Sequence, residues 1–242
     1  MDDPLIEAAW GDDSRELRQL LREGIEPERR EAAGAALYVA AGNPAKLKLL
    51  LEAGADPDTE GPEGTPLCFA ACWGEAECVG LLLAHGADPD YVEQQDTPAP
   101  ATALMLATGN GHEEVSRLLL EAGADPNLAP SEGSTPLMAA AHRGSVAITR
   151  LLLEYGADPE ATDDAGVTAL DRAEEWAERD LEAELRFVPE SLARTGDEIV
   201  VRRTPQPDGT DLVEVELVRV EGGGAISAIQ TGHAEIAKLL RS

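Results

Sequence analysis

Two short motifs recur down this chain, and their spacing restricts the fold more than any other feature. Thr-(Pro/Ala)-Leu occurs at Thr65-Pro66-Leu67, Thr102-Ala103-Leu104, Thr135-Pro136-Leu137 and Thr168-Ala169-Leu170, and Gly-Ala-Asp-Pro begins at Gly54, Gly86, Gly123 and Gly156. Successive threonines are 37, 33 and 33 residues apart. Self-similarity at that period marks a solenoid of helix-turn-helix units, each burying its apolar stripe on its neighbours. A chain built this way works by presenting a surface.

The residues of each period carry their own local instructions. Thr65 and Thr135 suit the N-cap, where a side-chain oxygen accepts a free backbone N–H, and the proline after each suits the first helical position. Leu67, Ala70 and Ala71 fall at i, i+3, i+4, a narrow stripe of mostly small residues that admits a close neighbouring helix. Gly74, Gly111 and Gly144, each seven residues after the leucine, stop the first helix. The second helix carries Val79, Leu82 and Leu83, then Val115, Leu118 and Leu119, then Ile148, Leu151 and Leu152, and it ends at Gly86, Gly123 or Gly156. Asp-Pro then turns the chain.

Together these residues resemble the ankyrin repeat family. The stretch GSTPLMAAAHRGSVAITRLLLEYGADPEATDDAG, Gly133 to Gly166, follows nearly the whole family pattern, and the resemblance covers roughly three quarters of the chain. Two looser units precede it, Leu5 to Pro27 and Leu37 to Pro57, the first standing as an N-terminal cap. The family's histidine after Thr-Pro-Leu is replaced by Cys68, Met105, Met138 or Asp171, which removes its inter-repeat hydrogen bond but not the fold. The resemblance implies an all-α repeat solenoid of about six units. The domain is read as a capping repeat over 1–29, central repeats over 30–173, an insertion over 174–228 and a closing helix over 229–242.

The insertion is read where the last repeat should finish. Position 177, seven residues after Leu170, is alanine instead of the stopping glycine, and Ala173, Ala177, Leu181, Leu185 and Val188 continue a helical stripe. A helix from Thr168 to about Phe187 is expected. EIVVRR and DLVEVELVRV then flank TPQPDGT, which predicts a β-hairpin. AIQTGHAEIAKLL (Ala228 to Leu240) matches ATGNGHEEVSRLL (Ala107 to Leu119), so Ala228 is placed at the repeat position of Ala173, with the helix resuming there. Either the hairpin lies on its own long helix, over Trp176 and Phe187, or its free edge or face receives a partner.

Charge narrows the partners. A net charge of −28 repels nucleic-acid phosphates and anionic membranes. Basic or mixed apolar protein surfaces remain. The N-terminus has no basic segment before an apolar one, and no run of 18 apolar residues occurs, so a cytoplasmic monomer is expected. Only Lys46, Lys48 and Lys238 are lysine beside 16 arginines, a bias typical of a GC-rich bacterial gene.

Candidate partner-binding residues follow from the family's use of its turns and inner helix face. Trp10, Trp73 and Trp176 all occupy the position just before the helix stop, where Asn110 and Arg143 stand in other repeats. Aromatic residues make up only 3% of the chain, so three tryptophans at one repeat position read either as contact anchors or as packing between turns. Phe69, His142 and Arg143 are expected on the same side, with Tyr91 on a turn. The turn Val92 to Ala101, four residues longer than standard, is a further candidate loop.

Catalytic and metal motifs give little. Cys68, Cys72 and Cys78 with His85 lack zinc-ligand spacing and read as small buried apolar groups. Asp56, Asp58, Asp88, Asp90, Asp158 and Glu160 fit recurrent turns better than a calcium loop. There is no P-loop, G-x-S-x-G or H-E-x-x-H motif, and Gly222-Gly223-Gly224 reads as a flexible return. The expectation is a non-enzyme without cofactor or metal that binds another protein. The alternative is an acidic decoy or immunity-type inhibitor of a basic, nucleic-acid-binding cleft.

Overall fold

The computed structural model describes residues 3–11, 14–22, 30–61, 64–92, 100–178, 198–205, 211–218, 224–231 and 233–241. Among them, five consecutive helix pairs run α1 (Pro4–Trp10) and α2 (Ser14–Leu20), α3 (Arg30–Val39) and α4 (Pro44–Glu52), α5 (Pro66–Trp73) and α6 (Ala76–Ala84), α7 (Ala103–Asn110) and α8 (Glu113–Glu121), α9 (Pro136–Arg143) and α10 (Val146–Glu154). A sixth is made by α11 (Ala169–Glu178) and, after three strands, α12 (His233–Leu240). The first helices pack in the row α1, α3, α5, α7, α9, α11, and the second helices in the row α2, α4, α6, α8, α10, α12. The chain is thus a two-layer helical solenoid of six units.

Each first helix begins and ends for reasons written in the repeat. The Thr65, Thr102 and Thr135 hydroxyls accept the backbone N–H of Cys68, Met105 and Met138 at 3.2, 3.2 and 3.3 Å. Gly74, Gly111 and Gly144 close α5, α7 and α9 at φ of 76, 81 and 77°, a left-handed conformation that a Cβ would strain. At the last unit Thr168 and Asp171 form a reciprocal box. The Thr168 N–H and Oγ both donate to Asp171 Oδ2 at 2.7 Å, and Asp171 N–H donates back to Thr168 Oγ at 3.1 Å. These hydrogen bonds hold the Asp171 carboxyl below the usual carboxylate range. Between the layers Leu67, Leu104 and Leu137, with Ala70, Ala107 and Ala140, are buried against Val79, Leu82, Val115, Leu119, Ile148 and Leu152.

The C-terminal region differs from the sequence expectation. α11 is described to Glu178, and the expected continuation to Phe187 lies outside the described residues. β1 (Glu198–Pro205) and β2 (Asp211–Val218) pair antiparallel, with Val201 opposite Val215 and Arg203 opposite Val213. A third strand, β3 (Gly224–Thr231), pairs with the other side of β2, Val213 opposite Ile229, so the element is a three-stranded sheet in the order β1-β2-β3. Ala228, placed by the motif match at a helical position equivalent to Ala173, is a strand residue opposite Glu214. The β-branched Ile229 and Thr231 favour the strand, and the ladder along β2 supplies their partners, Val213 and Asp211. The helix starts only at His233, and α12 packs on α11 and α10 through buried Ile236, Ala237 and Leu240.

A second hydrogen-bond ladder runs through the turns that close the units. Within each turn an aspartate accepts from the backbone two residues on, as Asp56 does from Asp58 at 3.1 Å and Asp88 from Asp90 at 3.0 Å. The residue at that second place then accepts the backbone N–H of the next unit: Asp58 from Asp88 at 3.0 Å, Asp90 from Asp125 at 2.9 Å, and Asn127 from Asp158 at 2.7 Å. Asn127 also donates its amide to the Gly156 carbonyl at 3.0 Å, which an ionised carboxylate cannot do.

Desolvation, with the Asp56 and Asp88 charges, raises the Asp58 carboxyl, and desolvation with Asp125 and Asp88 raises Asp90. A carboxyl raised in the folded state contributes stability that is present at low pH and lost as pH climbs through its folded value. Asp58→Asn with Asp90→Asn is therefore expected to raise the melting temperature at pH 7. The gain should vanish below about pH 4, near the model-peptide value. Melts followed by circular dichroism across pH check this, and an equal gain at every pH would show that charge is irrelevant to the ladder.

Candidate functional site

The inner row of first helices carries most of the sequence-derived candidates, and the structure divides them into two groups. Trp10 is the last residue of α1 and Trp73 the last of α5, just before Gly74. They are 79% and 67% exposed, so neither serves as packing between turns. Phe69 sits one helical turn before Trp73, with ring centroids 6.2 Å apart, and the Tyr38 ring of α3 meets Phe69 edge-on at 5.3 Å. Tyr38 in turn covers the finger before α5, because a Cβ at Gly61 would collide with its ring.

Trp176 belongs to the other group. It lies within α11 and is half-buried. Its indole Nε1–H donates to His142 Nδ1 at 3.0 Å, and the two rings stand perpendicular at 5.0 Å. His142 and Arg143 are exposed at the C-terminus of α9, and the Arg143 guanidinium lies beside Gly111 of the preceding unit. Tyr91 is half-buried on its turn and donates its hydroxyl to Glu60 Oε1 at 2.9 Å, which raises the phenol. Most of the long turn after it, residues 93–99, lies outside the described residues.

Three features escaped the sequence. Lys46 of α4 is buried, and its Nζ donates to the carbonyls of Ala9, at 2.8 Å, and of Gly11, the residues on either side of Trp10. The available signal was one charged residue on an apolar helix face beside a shortened loop. His112 links units by placing Nε2 3.0 Å from the Cys72 carbonyl, with its ring in the space a Cβ at Gly74 would need. The Gly-His dipeptide at 111 and 112 was visible, but its reach across to α5 was not. Tyr38 was visible only as one of few aromatics.

The cysteines form no disulfide. Burial, joined by the Glu75 and Glu77 charges, pushes the Cys78 thiol up to about 11, so thiolate chemistry is suppressed at neutral pH. Among the described residues there is no group of three or more His, Cys, Asp and Glu able to hold a metal ion, and no helix long and apolar enough to cross a membrane.

Stacked helix pairs with capped turns and inward-facing alanines define a class, the repeat solenoids with an inner face of first helices. Within it, the family described as Ankyrin repeats (3 copies) matches residues 5–93, 35–130, 91–163 and 123–181, and the chain belongs to that family. It is similar to an ankyrin repeat-containing protein of Treponema pallidum, 40% identical over 95 residues, which are 39% of this chain and 31% of that protein. The human Ankyrin repeat and SOCS box protein 3 is 36% identical over 96 residues, 39% of this chain and 18% of that protein. The Caenorhabditis elegans Ankyrin repeat and KH domain-containing protein mask-1 is 38% identical over 84 residues, 35% of this chain and 3% of that protein. The matched segments therefore span less than a third of each of these relatives.

The difference in exposure separates the solvent-facing tryptophans from the half-buried one. Trp10→Ala and Trp73→Ala are expected to leave stability within about 0.5 kcal/mol of the parent. Trp176→Ala loses a ring contact and a hydrogen bond and should cost about 1–2 kcal/mol. Chemical denaturation checks all three, and a large loss at Trp73 would make it a packing residue.

Proposed function

We propose that this ankyrin-repeat chain is a non-catalytic recognition protein that binds another protein through its inner helix face and turn tips. The observation that carries the reading is the pair of exposed tryptophans, Trp10 and Trp73, on a chain with only 3% aromatic residues. An indole held in water forfeits the stabilisation that its burial would bring, and tryptophan dominates the anchors of protein interfaces. Phe69, Tyr91, His142, Arg143 and Trp176 extend the contact surface as secondary positions. The solenoid pre-organises these groups, so little ordering entropy opposes binding.

The charge of −28 suits a partner with a basic or mixed apolar surface and disfavours nucleic acid and anionic membrane. The protein acts as a monomer that meets its partner by electrostatic steering. One observation favours the second reading, the acidic decoy. The turn ladder sets Asp56, Asp88, Asp125 and Asp158 at corresponding places in successive units, so carboxylates recur at a regular step along one ridge.

Affinity capture from the source cell followed by stopped-flow binding separates the two. Anchored recognition predicts that Trp10→Ala and Trp73→Ala each weaken binding by about 2 kcal/mol or more. It also predicts that raising salt from about 0.05 to about 0.5 M slows association at least about tenfold with dissociation nearly constant. Dissociation that quickens with salt, with tryptophan substitutions silent, would favour the decoy.

A further inference from the structure

Resting on the reading that the inner face receives a protein, we propose that Trp10 and the Phe69–Trp73 pair are the walls of a slot. It takes one amphipathic helix of the partner, with lysine or arginine beside its apolar stripe.

The slot arises from a shortened loop. In the third unit the chain leaves α5 at Trp73 and passes Gly74 and Glu75 before α6 begins at Ala76. Aligned on the buried pairs Ala40–Ala41 and Ala70–Ala71, the second unit reaches α4 at Pro44 two residues sooner and has no residue at the tryptophan position. Between the two tryptophans the floor is the fully buried Ala41 and the exposed Gly42, where an added Cβ would come to 4.0 Å from the Phe69 ring. α1 packs on α3 and α3 on α5, so two steps of about 8–10 Å put the walls about 16–20 Å apart, axis to axis. With the wall side chains subtracted, that matches a helix about 10–12 Å across, whereas an extended strand, about 5 Å wide, would leave the slot loose.

Both walls are braced. Trp73 leans over Phe69, which is held edge-on by Tyr38, which covers the turn at Gly61. On the other wall Lys46 acts as a positioning residue. Its ammonium donates to the carbonyls of Ala9 and Gly11 and so fixes the main chain on both sides of Trp10. Gly11, at φ −58°, does not adopt the left-handed cap that closes α5, and the lysine takes over that task with a charge suited to a helix C-terminus. Burying an ammonium is costly unless it is hydrogen-bonded, so both acceptors are needed where Lys46 sits.

The charges around the slot choose the helix. Neither wall helix, α1 or α5, contains a lysine or arginine, and the one on α3, Arg30, is at the end of that helix away from Ala41 and Gly42. Glu7, exposed, stands one turn before Trp10, and Glu75, exposed, follows Gly74 beside Trp73. Each wall thus carries an exposed indole with an exposed carboxylate two or three residues away along the chain, a combination suited to a lysine or arginine head held by cation–π attraction and an ion pair together.

Three synthetic 15-residue peptides test this by calorimetry on the full chain. One has leucine at i, i+3, i+4, i+7 on a lysine and alanine background. The second has the same composition with leucine and lysine alternating. The third is the first with glutamate in place of lysine. The first is expected to bind at least about tenfold more tightly than either other. Trp10→Ala and Trp73→Ala should each weaken it at least about tenfold, a loss of about 1.4 kcal/mol or more. Tyr155→Ala, which removes an exposed aromatic at the end of α10 and outside the slot, should leave it unchanged.

Lys46→Met should weaken the same peptide severalfold and lower the fluorescence anisotropy of Trp10, measured with Trp73 and Trp176 replaced by Phe. Should that variant fail to fold, the two surface tryptophan variants decide alone. Equal binding of the alternating peptide, no binding of the first, or indifference to both tryptophans overturns the slot. If the tryptophan variants still lose the captured cellular partner while the helical peptide fails, recognition stands and its occupant is not a basic helix. If they lose neither, both readings fall.

Discussion

Close approach between first helices, made possible by alanine, is the constraint from which the rest follows. Ala36, Ala70, Ala71, Ala107, Ala140, Ala141 and Ala173 are buried along the inner row, and each replaces a larger side chain that would push neighbouring units apart. Because a unit buries its stripe only against its neighbours, stability is a sum of intrinsic and interface contributions, and no single large core is required. Leucines at the same repeat place, Leu67, Leu104 and Leu137, fill what the alanines leave, each contributing about 1.5–3 kcal/mol by burial. Threonine N-caps and left-handed glycines then set where α5, α7 and α9 start and stop, so these three first helices share one length of eight residues.

That stacking has a functional corollary. A row of short helices ending at equivalent glycines presents the residue before each stop to solvent, and the chain varies that place: Trp10, Trp73, Asn110 and Arg143. The N-terminal half of the inner face is aromatic and without lysine or arginine on α1 and α5, while the fifth unit ends in His142-Arg143. The outer turns carry the acidic ladder instead. Exposed aromatic groups and the acidic ladder thus lie on different edges of the same solenoid, which is why salt and tryptophan substitution probe different parts of the account.

Much of the fold was legible because the repeat states each instruction several times. A threonine, a proline and a glycine at fixed offsets are local signals, and four copies make chance agreement improbable. The last unit was misread for the opposite reason. Its motif, Gly-His at 232 and 233, has a single counterpart at 111 and 112, and matching backward from it carried a helix into Ala228 to Thr231, which pair with β2. Strand pairing is non-local, and a short β-branched run cannot announce its partner. The site was legible only in its exposed residues. Trp10 and Trp73 stood out by scarcity, but Trp176, at the same offset as Trp73, is half-buried because its indole meets His142 of α9. Lys46 depended on a loop two residues shorter than its neighbours, a contact across 37 residues that no local pattern encodes.

The most direct test of the central claim, that exposed tryptophans of the inner face are the recognition anchors, is iodide and acrylamide quenching of single-tryptophan proteins. One retains Trp10 and one retains Trp73, with the other tryptophans replaced by phenylalanine, each measured alone and in complex with the captured partner. The account expects both indoles to be quenched freely in the isolated protein and to become shielded, with blue-shifted emission, in the complex. Quenching that is equally efficient in both states would place the partner elsewhere and contradict it.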